Sequence, residues 1–210
     1  MTQAKYLFNS LPLYILFFAT LFFVSCTDDS EVVPNDNATE NTIGSFSSGI
    51  FVVNEGNFGA ADGSISFIDS EGIVQNDVFS ENNALLPLGD VVQSMYLRDT
   101  LAFILVNNSN KVEVVDVDEM KVLHTISEVS LPRYMISEGD YGYISEWVNF
   151  SDPGRISILD LDTYEVLDTV AVGFGAEALA IRDNKLYVSN NFGSTLSVMD
   201  LSTREIIQTI

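Results

Sequence analysis

The chain has 210 residues, enough for one or two domains of ordinary size. Nine Lys and Arg against 30 Asp and Glu give a net charge of -21, a surface that repels phosphate backbones and excludes nucleic-acid binding driven by counterion release. At 47% hydrophobic it is no acidic disordered tail. Its one Cys (Cys26) and one His (His124) exclude a disulfide framework, a Cys/His zinc site, a Cys-His catalytic pair and any Ser-His-Asp triad without His124.

Lys5 precedes Leu11 to Val24, a 14-residue apolar stretch. That length suits the core of an export signal and falls short of the ~20 residues that span a bilayer. The stretch ends at Phe23-Val24-Ser25-Cys26, which resembles the lipobox of bacterial lipoprotein signals, with Phe23 in place of the usual Leu. The resemblance implies removal of residues 1–25 and diacylation of Cys26; the alternative is a plain secretory signal followed by an incidental Cys. Removal leaves 185 residues with 8 basic and 30 acidic side chains, a net charge of -22.

Residues 26–48 carry five acids, no base and no helical or strand period. They read as a flexible acidic tether reaching roughly 25 Å. Its first residues, Thr27-Asp28-Asp29-Ser30-Glu31, resemble the signal that sends some Gram-negative lipoproteins to the outer face of the outer membrane. A merely soluble linker is the other reading.

From residue 49 to 210 the sequence repeats. Its anchor is an alternating strand ending in Asp, at Ile65 to Asp69, Val112 to Asp116, Ile156 to Asp160 and Leu196 to Asp200, with spacings of 47, 44 and 40. After each of the last three Asp a polar turn leads to a second strand closing at Ile126, Val170 or Ile210. Before them, Phe103, Tyr143 and Tyr187 open one short strand, and Met95, Met135 and Leu179 mark another. Period-2 alternation and polar turns predict strands throughout, with no helix after the signal. A four-stranded meander repeated every 40 to 47 residues predicts an all-β fold, a β-propeller of four-stranded antiparallel blades with about four blades present.

Lys185 to Asn190, Thr195 to Asp200 and Glu205 to Ile210 resemble the YVTN repeat of YncE-like, surface-layer-type propellers. Val53 to Gly59 and Asn107 to Asp116 are similar to a narrower branch, outer-membrane lipoproteins found beside TonB-dependent transporters, which includes surface cobalamin-binding propellers. The resemblance implies a seven-bladed ring, of which this chain would be a fragment; a four-bladed ring or a ring-closing dimer are the alternatives. It also implies an outer-membrane, surface-exposed location, with a TonB-dependent transporter and cobalamin or another small ligand as partners.

With strands named a to d outward, the b/c loops and d/a connections open on one end of a blade. The b/c segment is 13 residues in repeats two and four, 18 in repeat one and 17 in repeat three, and the connection into repeat two is 16 against 9 later. All three expansions fall on the loop-bearing end, where function concentrates. The candidate ligand-binding residues there are Asn54, Glu55, Asn57 and Phe58; Glu146, Trp147, Asn149 and Phe150; and Asn190, Asn191 and Phe192, with Asn82 and Asn83 in the long connection. Asn-Phe recurs at 57–58, 149–150 and 191–192, an amide beside a ring. Trp147 and Phe58 are expected to contribute most. Asp116, Asp160 and Asp200 are read as turn formers and His124 as structural.

With no catalytic constellation, metal site or cofactor motif, the leading expectation is a lipid-anchored binding module that captures a small molecule or docks on a transporter, not an enzyme. A propeller hydrolase of the lactonase type and a structural surface-layer protein are the alternatives.

Overall fold

Successive side chains of a strand point to opposite faces, and the repeat carries apolar residues at both parities, so each sheet needs a neighbour on either side. The computed structural model describes Phe46 and residues 48–210 and contains four antiparallel sheets. The first holds β1 (Gly49–Asn54), β2 (Ser64–Asp69) and β3 (Val74–Gln75), followed by a short helix, α1 (Val78–Asn82). The second holds β4 (Val92–Arg98), β5 (Leu101–Val106), β6 (Lys111–Asp116) and β7 (Val122–Ile126). The third holds β8 (Pro132–Glu138), β9 (Tyr141–Glu146), β10 (Arg155–Asp160) and β11 (Val166–Ala171). The fourth holds β12 (Ala176–Arg182), β13 (Lys185–Asn190), β14 (Thr195–Asp200) and β15 (Glu205–Thr209). Within each sheet strands pair in chain order, the meander of a propeller blade. The signal segment 1–25, Cys26 and the tether as far as residue 45 lie outside the described residues.

Local chemistry repeats with the blades. The a and b strands pair Arg98 with Leu101, Glu138 with Tyr141 and Arg182 with Lys185, leaving tight two-residue turns. In the last of these both Asp183 and Asn184 have positive φ, as a hairpin turn matched to strand twist requires. At the c/d turns the strand-ending Asp accepts backbone amides: Glu71 and Ile73 on Asp69, Glu119 on Asp116, Asp162 and Thr163 on Asp160, and Ser202 and Thr203 on Asp200. These bonds favour the ionised carboxyl and hold Asp160 below its usual pKa. The reading of these Asp as turn formers is borne out. His124 stacks on Tyr164 of the next blade at 5.4 Å between ring centroids.

The core consists of three inter-sheet layers. Ala102, Ile104 and Val106 face Ile65 and Phe67 of the first sheet and Phe79 of α1. Phe103 and Leu105, of opposite parity on the same strand, face the third sheet with Ile144 and Leu159. Ile156 and Ile158 meet Leu186 and Val188 of the fourth sheet. Polar bonds stitch the inner strands: Ser94 Oγ donates to the Arg133 carbonyl at 2.6 Å, and Tyr96 shares a hydrogen bond with Ser137 at 2.9 Å.

Three expectations need correction. The first blade has three strands among the described residues, because β1 is equivalent to the second strand of the others: Phe51 occupies the place of Phe103, Tyr143 and Tyr187. Its core also reaches back to Phe46, inside the segment read as tether, which is 3% exposed and packs edge-on against Phe67 at 5.1 Å. The helix α1 was not anticipated. Because β3 has only two residues, the wedge between the first two sheets is open, and one turn of helix fills it with Val78 and Phe79.

Phe103 is fully buried between the second and third sheets, with the Tyr96 and Tyr164 rings at 6.4 and 6.3 Å. Phe103→Ala should lower stability by about 3–5 kcal/mol, read as a reduced urea midpoint with unchanged slope.

Candidate functional site

The b strands of blades one, three and four end in Asn54, Glu146 and Asn190. Each reaches hydroxyls at the first or third position of the following c strand. Asn54 donates to Ser64 Oγ at 3.3 Å and Ser66 Oγ at 2.9 Å; Asn190 donates to Thr195 Oγ1 at 3.0 Å and Ser197 Oγ at 2.9 Å. Glu146, 0% exposed, accepts from the Ser157 hydroxyl, from Ser130 N at 2.7 Å and from Arg155 Nε at 2.9 Å. Burial raises the Glu146 carboxyl above the usual carboxylate range, against the opposing pull of Ser157, Ser130 and Arg155. The side chains of these three candidates are thus engaged in blade construction.

The first-blade loop is likewise bound to its neighbours. Asn57 donates through its backbone N and Nδ2 to the two Asp62 oxygens at 2.6 and 2.8 Å, which lowers the Asp62 pKa. Gly59 N donates to Asp90, which also accepts from Asn108 Nδ2 at 2.5 Å. Glu55 is exposed, and Phe58 is 82% exposed on the loop tip, with no ring contact among the described residues.

Between blades three and four the candidates converge. The Trp147 ring lies 5.8 Å from Phe150 and 4.8 Å from Phe192, and the two phenyl rings are 6.4 Å apart. Trp147 Nε1 donates to Glu177 Oε2 at 2.8 Å. The Arg133 guanidinium sits 3.9 Å from the indole centroid, within cation–π range, and its Nε and Nη2 donate to the Glu177 carboxylate, the latter at 2.7 Å. The indole is therefore held by a hydrogen bond at its edge and a cation on its face. Phe150 and Phe192 project beyond it, 74% and 50% exposed, beside Phe174 at 45%. Asn149 folds the loop: its Oδ1 accepts Ser151 N and Asp152 N, and its Nδ2 donates to Asp152, all at 2.7 Å. Asn191 is exposed and joins the neighbouring connection through its backbone N, donating to Gly175 O at 2.8 Å.

The structure thus unites Trp147, Phe150 and Phe192 and leaves Phe58 apart. It adds Glu177 and Phe174, which sequence reasoning did not single out. Arg133 and Glu177 hold the second position of β8 and β12, the place of Gln93 in β4; comparing adjacent blades position by position would have paired them. The arrangement is an apolar aromatic platform whose indole N–H is already spent, suited to stacking on a flat apolar surface. The cavities of about 580, 390 and 700 Å³ lie elsewhere, beside β1 and around the α1 insert. Among the described residues no three His, Cys, Asp or Glu side chains converge as a metal site.

A family profile described as Domain of unknown function (DUF5074) matches residues 48–210. No curated protein matches the chain significantly. Among solved structures, the computationally designed Ika8 protein is similar at a TM-score of 0.55 and 13% identity, over 75% of this chain and 48% of that one. Apo AztD from Citrobacter koseri is similar at 0.50 and 15% identity, over 78% and 44%. The dihydro-heme d1 dehydrogenase NirN, in complex with DHE, is similar at 0.50 and 16% identity, over 75% and 37%. At these identities the likeness is one of fold. The chain spans less than half the length of each of these three proteins.

Two outcomes follow from the geometry. Glu177→Ala removes the shared partner of Arg133 and Trp147 and should cost about 1–3 kcal/mol. The sequence contains one Trp, so intrinsic fluorescence should report the loosened indole directly. The second outcome concerns pH. The folded Glu146 carboxyl holds its proton more tightly than the unfolded chain does, so protonation favours the folded state. The stability of the parent relative to Glu146→Gln should therefore rise as pH falls from neutrality through the raised folded pKa, levelling off near the unfolded value of about 4.3. Urea midpoints of both proteins across that range measure the difference.

Proposed function

The chain belongs to the DUF5074 family, and from that premise we propose that it is a binding module anchored in the outer membrane through a diacylated Cys26. It acts by capture rather than turnover, taking a small molecule with a broad apolar face, a corrinoid among them, or docking on a TonB-dependent transporter. The observation that carries this reading is the platform of Trp147, Phe150 and Phe192 braced by Arg133 and Glu177. Rigid aromatics bury much area at little entropic cost, which makes them the usual energetic centre of a recognition surface. Support for the anchor is the lipobox resemblance at Phe23 to Cys26, and for the ligand class the resemblance to cobalamin-binding propellers. Blade packing supplies the rigid support that loops need in order to bind.

Titration of the full-length protein with cobalamin, haem and oligosaccharides, followed by calorimetry and Trp147 fluorescence, tests the reading. Trp147→Ala should cost about 2 kcal/mol, near thirtyfold in affinity, while Asp162→Ala at a c/d turn should leave binding unchanged. In cells, Cys26→Ser should leave the membrane fraction. Absence of any ligand, or equal binding by Trp147→Ala, rejects the site; a Cys26→Ser protein still in the membrane rejects the anchor.

A further inference from the structure

The insert between the first two blades builds a second recess, remote in sequence from the aromatic platform. Phe79, 3% exposed, plugs the wedge left by the short β3. Asn83 fastens the insert to the second blade: its Nδ2 donates to the carbonyls of Phe79 and Met120 at 2.7 Å, and its Oδ1 accepts Val122 N at 3.0 Å. An open groove of about 700 Å³ remains between the insert and β6 and β7, within the size range of small-molecule sites. Leu86 and Pro87 line it from the insert, and Val122 from the sheet. Leu86 is 62% exposed, a large apolar side chain left in water beside the groove.

The charge of this groove departs from that of the chain. Lys111, Lys121 and Lys185 are the lysines among the described residues, and the first two line the groove. They stand at opposite ends of β6, since Lys111 opens the strand and the Lys121 carbonyl accepts Asp116 N at its close; five strand steps separate them by about 17 Å. The two ends differ. Lys111 Nζ is held at 2.6 Å by Glu113, 5% exposed, whose other oxygen accepts Thr125 Oγ1 at 2.6 Å, so that end is satisfied internally. Lys121 pairs at 2.9 Å with Glu119, the side chains 60% and 63% exposed. Such a pair is worth little in water, and a ligand anion can replace it at small cost.

We propose that this groove binds an elongated amphiphilic anion, a carboxylate or phosphate head on an apolar chain, with the head at Lys121 and the chain along Leu86, Pro87 and Val122. A neutral apolar ligand would leave Lys121 unused. A compact anion would gain nothing from the apolar walls.

The test uses the full chain with labelled methyl groups, titrated with dodecanoate below its self-association concentration, with dodecanol, and with phosphatidylglycerol vesicles. Dodecanoate should shift the Leu86 and Val122 methyls saturably and bind about tenfold more tightly than dodecanol. Lys121→Gln should reduce dodecanoate to the level of dodecanol, Leu86→Glu should abolish the shifts, and Trp147→Ala should leave them intact, which separates this groove from the platform. The same shifts with vesicles identify the head as that of a bilayer lipid; shifts with dodecanoate alone identify a free acid. Absence of shifts at Leu86 and Val122 with both anions, equal binding of dodecanol, or full dodecanoate affinity in Lys121→Gln overturns the proposal.

Discussion

The central strands of the second and third sheets, β5, β6, β9 and β10, are buried on both faces, and that constraint governs the rest. In β5, Ala102, Ile104 and Val106 need the first blade while Phe103 and Leu105 need the third. A sheet of this kind alone in water would expose both of these faces, at about 25 cal/mol for each Å² of apolar surface left uncovered. Serial packing removes that cost and fixes the order of the blades. It also brings the inner strands β4, β8 and β12 side by side, so that residues at one repeat position become neighbours. Arg133 and Glu177 meet for this reason, 44 residues apart in the chain.

The same packing buries the ends of the b strands, where polar groups must be satisfied or the blade loses free energy. Asn54 and Asn190 answer with an amide to two hydroxyls, and Glu146 with a carboxylate to a hydroxyl, an amide and a guanidinium. Blade two instead places Val106 at the strand end and moves its polar group to Glu113, paired with Lys111 and Thr125. These are different solutions to one requirement at the start of the c strand. The amides at 54 and 190 mark that requirement as much as they mark a loop.

This explains what was legible in the sequence. The Asp-ended strands, the four repeats and the loop-bearing end follow from spacing, because period and turn chemistry are local. Trp147, Phe150 and Phe192 could be placed on one end by the third-repeat loop expansion and the Asn-Phe recurrence, but their convergence across two blades was not legible, and Phe58, third bearer of the same dipeptide, lies apart: Asn57 and Gly59 tie its loop to Asp62 and Asp90 instead. The helix α1 was hidden because its cause is not local. Val78 and Phe79 are helical since a shortened β3 leaves a wedge to fill, and nothing in five residues announces that. Phe46 was hidden for a related reason, as its partners Phe51 and Phe67 lie across the first sheet.

The platform owes its shape to backbone as much as to rings. Gly175 has φ +72, and a Cβ there would stand 2.8 Å from the Phe192 ring; a Cβ at Gly173 would stand 2.5 Å from the Asn190 side chain. Two glycines in one d/a connection therefore allow the fourth-blade b/c loop to close over it, with Phe192 N bonded to Phe174 O and Gly173 N to Asn190 Oδ1, both at 3.1 Å. The third blade contributes from the other side through the Asn149 turn, which carries Phe150 outward. Between them Trp147 cannot rotate without breaking its bond to Glu177 and leaving the Arg133 guanidinium. A surface made this way holds the Trp147 ring ordered in the folded protein, so that any recognition there would start with much of the loop entropy already lost on folding.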